Sequence, residues 1–186
     1  QVHAVGVGPP PFKHIHIDRI KLADVASHPE FARDLDIVRR GIDFAKILGS
    51  PNVLVHGFAW PGEYQGGKKV SPTWRQRYAS GGGEIPATEL DKMTKGFGMA
   101  ADLAERQDIA IGTGMMPWNY TNTSGNLRRI AERLNSHRIK VMWGPADTMN
   151  CGEADAATVG FTNVRPYLHS LHLKDLHVKD GATLEF

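Results

Sequence analysis

Short apolar runs rich in β-branched residues alternate along this chain with longer amphipathic segments. "VHAVGVG" (2–8), "NVLVHG" (52–57), "DIAIGTG" (108–114), "IKVMWG" (139–144) and "SLHLKD" (170–175) read as strands. "NVLVHG" is apolar on both faces, the pattern of a parallel strand covered by helices. Between the strands, 31–48 ("FARDLDIVRRGIDFAKIL") carries Phe31, Leu35, Val38, Ile42 and Ala45 on one helical stripe, and Gly49 follows as a C-terminal cap. A second helix over 88–107 places Leu90, Met93, Phe97, Ala100 and Ala104 together, with Thr88 and Asp91 spaced as a capping box. A third starts near Ser124 with Leu127, Ile130 and Leu134 on one face, and a weaker one spans roughly 154–167. "ATLEF" (182–186) begins a further extended segment.

Strand–helix–strand repetition with apolar strands predicts parallel pairing through right-handed crossovers. An open doubly wound sheet and a (β/α) barrel both satisfy it. The dinucleotide fingerprint is absent, because "GVGPPP" has two glycines followed by prolines that cannot open a helix there, and no phosphate-binding P-loop occurs. Polar and unusual residues gather where strands end: His56-Gly57, Thr113-Gly114, Gly144-Pro145 and His172 to Asp175. In a barrel these ends form the mouth in which active sites lie. Five or six strand units are too few to close an eight-stranded barrel of about 250 residues. The expectation is an incomplete parallel (β/α) barrel, a single domain over 1–186, that needs either complementary segments or a second copy at its open edges. The chain opens on a strand-like segment without Met, which reads as a start internal to a longer sequence or a processed one.

Composition narrows the function classes. With 41% hydrophobic and 23% charged residues, a chain of 186 residues builds one folded core rather than a disordered segment. A net charge of +2 with no long basic run argues against a nucleic-acid partner. The densest basic stretch, from Lys68-Lys69 to Arg75 and Arg77, lies in a glycine-rich loop between Phe58 and about Pro86 and reads as solvated, although it could meet a phosphate. The single cysteine, Cys151, excludes an internal disulfide and fits a reducing cytoplasm. No apolar run is long enough to span a bilayer, and no signal peptide is evident.

Several segments in order resemble one family. "RRGIDFAKILGSPNVLVHGF" (39–58), "WNYTNTSGNLRRIAERLNSHRIKVMWGPADTMNCGE" (118–153) and "VRPYLHSLHLKD" (164–175) are similar to the xylose isomerase-like TIM barrels, the sugar phosphate isomerase/epimerase superfamily. "VGVGPPPFKH" (5–14) matches a preceding strand and its lysine-bearing loop. The resemblance runs from about the third barrel strand to just past the seventh. It implies divalent-metal-assisted proton transfer on a sugar or polyol. The metal, Mn²⁺ or Mg²⁺, would be held by a Glu, an Asp, a His and a Glu at the ends of the fifth to eighth strands. It would polarise a carbonyl and its vicinal hydroxyl while a carboxylate moves the neighbouring carbon-bound proton. On this chain the fifth-strand glutamate position falls on Thr113 and the sixth-strand aspartate position on Gly144 of "WGPAD". The seventh-strand histidine is His172 of "HLKD", the expected metal ligand, and the eighth position falls beyond residue 186.

Around that position the candidate substrate-binding residues are Lys13, His56, Trp118, Asp147 and Lys174. His56 ends a strand and faces the mouth. Trp60, Trp118 and Tyr120 sit on mouth loops, where they either stack on a sugar or cap the rim. Asp147 lies three residues beyond the missing aspartate, as a substitute carboxylate or a helix cap, and Glu153 is expected to cap the helix that follows it. Lys174 and Asp175 either orient a substrate or pair with loops; His169 and His177 read as solvated and Cys151 as inert. Three functions remain open: a metal-dependent sugar or polyol isomerase or epimerase, a degenerate binding or scaffold subunit that has lost its metal site, and a lyase such as a dehydratase.

Overall fold

The computed structural model describes residues 1–61, 84–149, 151–175, 177–179 and 183–185. The basic, glycine-rich stretch expected to form a solvated loop lies outside the described residues. Five parallel strands form one sheet: β1 (Val5–Gly6), β2 (Asn52–His56), β3 (Ala110–Gly114), β4 (Ile139–Trp143) and β5 (Leu168–Leu171). Each pairs with the next in the chain. A doubly wound sheet reverses its strand order at a switch point; this one does not, so the barrel alternative holds. The sheet also curls. The ring of His3, just before β1, stacks on His169 of β5 with centroids 5.3 Å apart, bringing the two outer strands toward each other.

Three helices cover the sheet, and local sequence sets their ends. In α1 (Pro29–Leu48) Pro29 occupies the first turn and the His28 ring nitrogen accepts from the Glu30 amide. Gly49 closes it with a left-handed backbone at φ 63°. The helix α2 (Ala87–Glu105) begins ahead of Thr88, because Pro86 already supplies the entry geometry. The expected capping box therefore does not form, and Asp91 instead accepts from Arg133 at 2.7 Å. In α3 (Ser124–Leu134) the Thr123 hydroxyl accepts from the Asn126 amide, and Asn135 ends the helix at φ 45°.

Between α1, α2 and the sheet lies a cluster of four phenylalanines, Phe12, Phe31, Phe58 and Phe97, with ring centroids 5.1 to 5.9 Å apart. All four are fully buried. Gly96 permits that packing, since a Cβ there would sit 2.5 Å from Phe31 Cε1. A smaller apolar cluster, Met115, Leu127, Val141, Trp143, Ala156 and Val164, supports the far side of the sheet.

Three elements differ from the sequence pattern. Only Val5 and Gly6 pair in the first strand, because Pro9, Pro10 and Pro11 carry no N–H to continue the ladder. The segment expected as one helix over 154–167 is instead a π-turn (Ala156–Gly160), the short α5 (Phe161–Val164) and a 3-10 turn (Arg165–Tyr167), with Pro166 interrupting helical hydrogen bonding. β5 starts two residues earlier than expected and stops at Leu171, through a register shift opposite Val141 and Met142. A five-residue helix, α4 (Pro145–Met149), follows β4 directly. At the end, β6 (His177–Lys179) and β7 (Thr183–Glu185) pair as an antiparallel hairpin, matching the extended segment expected there. Among the described residues no helix is long and apolar enough to cross a membrane.

Candidate functional site at the strand ends

The C-terminal ends of β2 to β5 carry His56, Thr113, Gly144 and His172, and the loop after β1 folds over them. Asp34 of α1 fixes that loop: its buried carboxylate accepts from the Phe12 amide at 2.7 Å and from Arg33 at 2.8 Å. The loop is tied to the rim twice more. The His56 amide donates to the Pro11 carbonyl at 3.2 Å, and Asn119 Nδ2 donates to the Lys13 carbonyl at 3.0 Å. This brings Lys13 Nζ to 5.5 Å from the centre of the half-buried Trp118 ring, a cation–π distance.

His56 lies beside them, buried, with its ring against Gly114 and its Nδ1 without a hydrogen-bond partner. Burial, then the charges of Lys13 and His14, push its pKa down to about 4. At neutral pH it is an uncharged imidazole, able to hydrogen-bond a hydroxyl. Beside the same loop a cavity of about 600 Å³ is lined by His14, His16, Arg19, His28 and Arg33, with Glu30 and Asp34 opposing them.

On the other side of the mouth, Thr113 is buried and its hydroxyl donates to the Lys140 carbonyl on β4 at 3.1 Å. The Gly144 amide contacts Met115 Sδ at 3.3 Å. Asp147, in the first turn of α4, reaches back over Gly144: its Oδ2 lies 2.5 Å from where a Cβ on residue 144 would be. Its two carboxylate oxygens accept from Lys174 Nζ at 2.7 and 2.9 Å. The aspartate side chain is nearly buried, whereas the lysine side chain is 30% exposed.

The two halves are joined through Cys151, whose thiol lies 3.5 Å from the Asp147 carbonyl and 4.0 Å from that of Pro117. Burial, reinforced by Asp147 and Glu153, raises the thiol pKa to about 12, so it stays protonated and is a poor nucleophile.

His172 follows the end of β5. Its amide donates to the Trp143 carbonyl at 2.8 Å, but its side chain is exposed, as are Leu171 and Leu173 on either side. The alternation that would direct His172 inward is lost because the strand ends one residue before it. Tyr120 is buried and packs on Trp60 with centroids 4.1 Å apart, so this pair caps the rim. Burial raises the Tyr120 phenol above its ordinary range. Glu153 caps α3, upstream of it, by accepting from the Ser124 amide at 3.2 Å and from the Ser124 hydroxyl, rather than capping the segment that follows. Asp34 and Asn119 build the rim without any motif to mark them, since each acts through a backbone group distant in sequence.

The residues present do not fit a divalent metal. Thr113 and Gly144 offer no carboxylate, Asp147 is neutralised by Lys174, and among the described residues no three His, Cys, Asp or Glu side chains group closely enough to hold a metal ion.

The comparisons with known proteins agree with the winding of the sheet. No curated protein sequence matches. The 3-keto-D-glucoside 4-epimerase YcjR of E. coli superposes with a TM-score of 0.62 at 14% identity, covering 94% of this chain and 59% of the other. The probable 3-DHS dehydratase AsbF of Bacillus anthracis gives 0.63 at 10% identity, covering 96% and 52%. A xylose isomerase-like TIM barrel protein of Mycobacterium smegmatis, solved with magnesium, gives 0.60 at 14% identity, covering 82% and 50%. The chain thus spans between half and three-fifths of the length of these structures. The xylose isomerase-like TIM barrel model matches residues 3–184, and the chain belongs to that family.

Proposed function

We propose that the strand-end mouth binds a sugar or polyol and that the chain acts in the isomerase and epimerase class. The observation that carries this reading is the placement of an aromatic face, Trp118, beside Lys13 and the neutral His56 on one side of the rim, with the Asp147–Lys174 pair on the other. Apolar C–H faces of a sugar stack on such a ring, while neighbouring donors and acceptors take its hydroxyls. The 3-keto-D-glucoside 4-epimerase with the same fold supports the substrate class. Metal-assisted proton transfer, expected from the resemblance, finds no matching donor set among the described residues, so no step is written through a metal. A cytoplasmic setting suits the single protonated Cys151.

The ion pair on Asp147 favours a second reading, a binding subunit without catalysis, because both oxygens of the mouth's carboxylate are already engaged by the Lys174 ammonium. Titration calorimetry against a panel of ketoses, aldoses and polyols tests the binding. A ligand whose affinity falls at least tenfold in Trp118→Ala supports the site, and no binding by any member refutes it. Proton exchange of the bound sugar in D₂O, followed by NMR, separates the two readings: exchange at carbon marks the isomerase class and its absence the binding subunit.

A further inference from the structure

We infer that the Lys174 ammonium is the built-in cation of this mouth and that it makes the strand-end site independent of divalent metal. Three observations converge on this. Asp147 is the carboxylate of β4's end, delivered from α4 over Gly144, and a side chain at 144 would collide with it at 2.5 Å. Residue 144 must stay small for Asp147 to lie there.

Both Asp147 oxygens are used by one nitrogen, at 2.7 and 2.9 Å, a geometry in which the lysine fills the space a metal would need beside a bidentate carboxylate. Thr113, whose hydroxyl donates to the Lys140 carbonyl, offers a neutral oxygen and no carboxylate charge to a divalent ion. A buried carboxylate requires a counter-charge, and here the chain supplies its own from the segment after β5. The Lys174 side chain is partly exposed at the mouth, and a ligand oxygen meeting its ammonium, whether carbonyl, hydroxyl or carboxylate, would be polarised by a fixed positive charge.

The inference rests on the mouth being a ligand site, but its test does not depend on knowing the sugar. Mn²⁺ is titrated calorimetrically into the full chain and into Lys174→Gln, and melting temperatures are read with millimolar Mn²⁺ and with EDTA. The wild type is expected to bind no Mn²⁺ and to melt at the same temperature in both. Lys174→Gln is expected to melt lower by about 5 °C, the cost of stranding a mostly buried carboxylate, and to regain part of that loss in Mn²⁺. Lys174→Arg, which keeps the charge, should stay within about 2 °C of the wild type. Stoichiometric uptake of Mn²⁺ at micromolar affinity by the wild type overturns the inference. So does a Lys174→Gln variant that melts like the wild type and ignores Mn²⁺. If sugar binding fails while these metal results hold, only the proposed ligand class falls.

Discussion

His56 makes the stability of this fold depend on pH in a calculable way. Its folded pKa of about 4 lies below the ordinary value of 6.5, through burial first and the charges of Lys13 and His14 second. The unfolded chain therefore takes up the proton before the folded one does. Stability contributed by the neutral ring is intact above about pH 6.5, is lost progressively as the pH falls, and is fully lost below about 4. At ~1.36 kcal/mol per pH unit, that gap corresponds to on the order of 3 kcal/mol. This is a large part of the total for a domain whose net stability is about 5–15 kcal/mol.

Urea denaturation of the wild type and of His56→Gln at a series of pH values between about 7 and 4 isolates the effect. Groups that do not interact with His56 contribute equally to both proteins and cancel in the difference. The wild type should lose about 3 kcal/mol more than the variant across that range. Parallel curves, differing in slope by less than ~0.5 kcal/mol, would refute the assignment of His56 as a buried neutral ring.

Gly96→Ala should destabilise by about 1–3 kcal/mol in urea melts, because the new methyl meets the Phe31 ring at 2.5 Å and overpacking outweighs the better helix propensity of alanine. Asp34→Ala should cost about 2–4 kcal/mol by leaving the Phe12 amide and Arg33 without their shared acceptor; a loss below ~1 kcal/mol would show that the loop is held elsewhere. With its pKa raised from 9.0 to about 12, the Cys151 thiol should have a thiolate fraction about a thousandfold below that of an ordinary cysteine. Ellman's reagent at mildly alkaline pH should therefore label it only after denaturant is added, and rapid labelling of the native chain would contradict the burial.

Much of this architecture is legible in the chain because it is local. The apolar run "NVLVH" and the stripe of α1 state their elements directly, and Gly49 marks where that helix ends. The positions at the strand ends follow from the runs themselves, so His56, Thr113 and Gly144 lie where the pattern puts them. What escaped was set at a distance. Ser124 and Glu153, 29 residues apart, meet to cap α3, and Asp147 meets Lys174 across 27 residues. No spacing rule announces such pairs. The end of β5 depends on a register shift against β4, and with it goes the alternation that would set His172 on the inward face, opposite Leu171 and Leu173. The capping box failed for a local reason that competed with another: Pro86 starts the helix one residue ahead of Thr88.

The unreversed order of β1 to β5 has a practical consequence for engineering. Each turn of chain contributes one place on the rim, in sequence order, and each place is backed by its own strand and helix. The mouth can thus be rewritten one cassette at a time. Exchanging 144–153 together with 172–175 would replace the charged pair and its scaffold, while the phenylalanine cluster under β2 and α2 would keep its packing. A library confined to those two stretches would search ligand chemistry without asking the fold to be solved again.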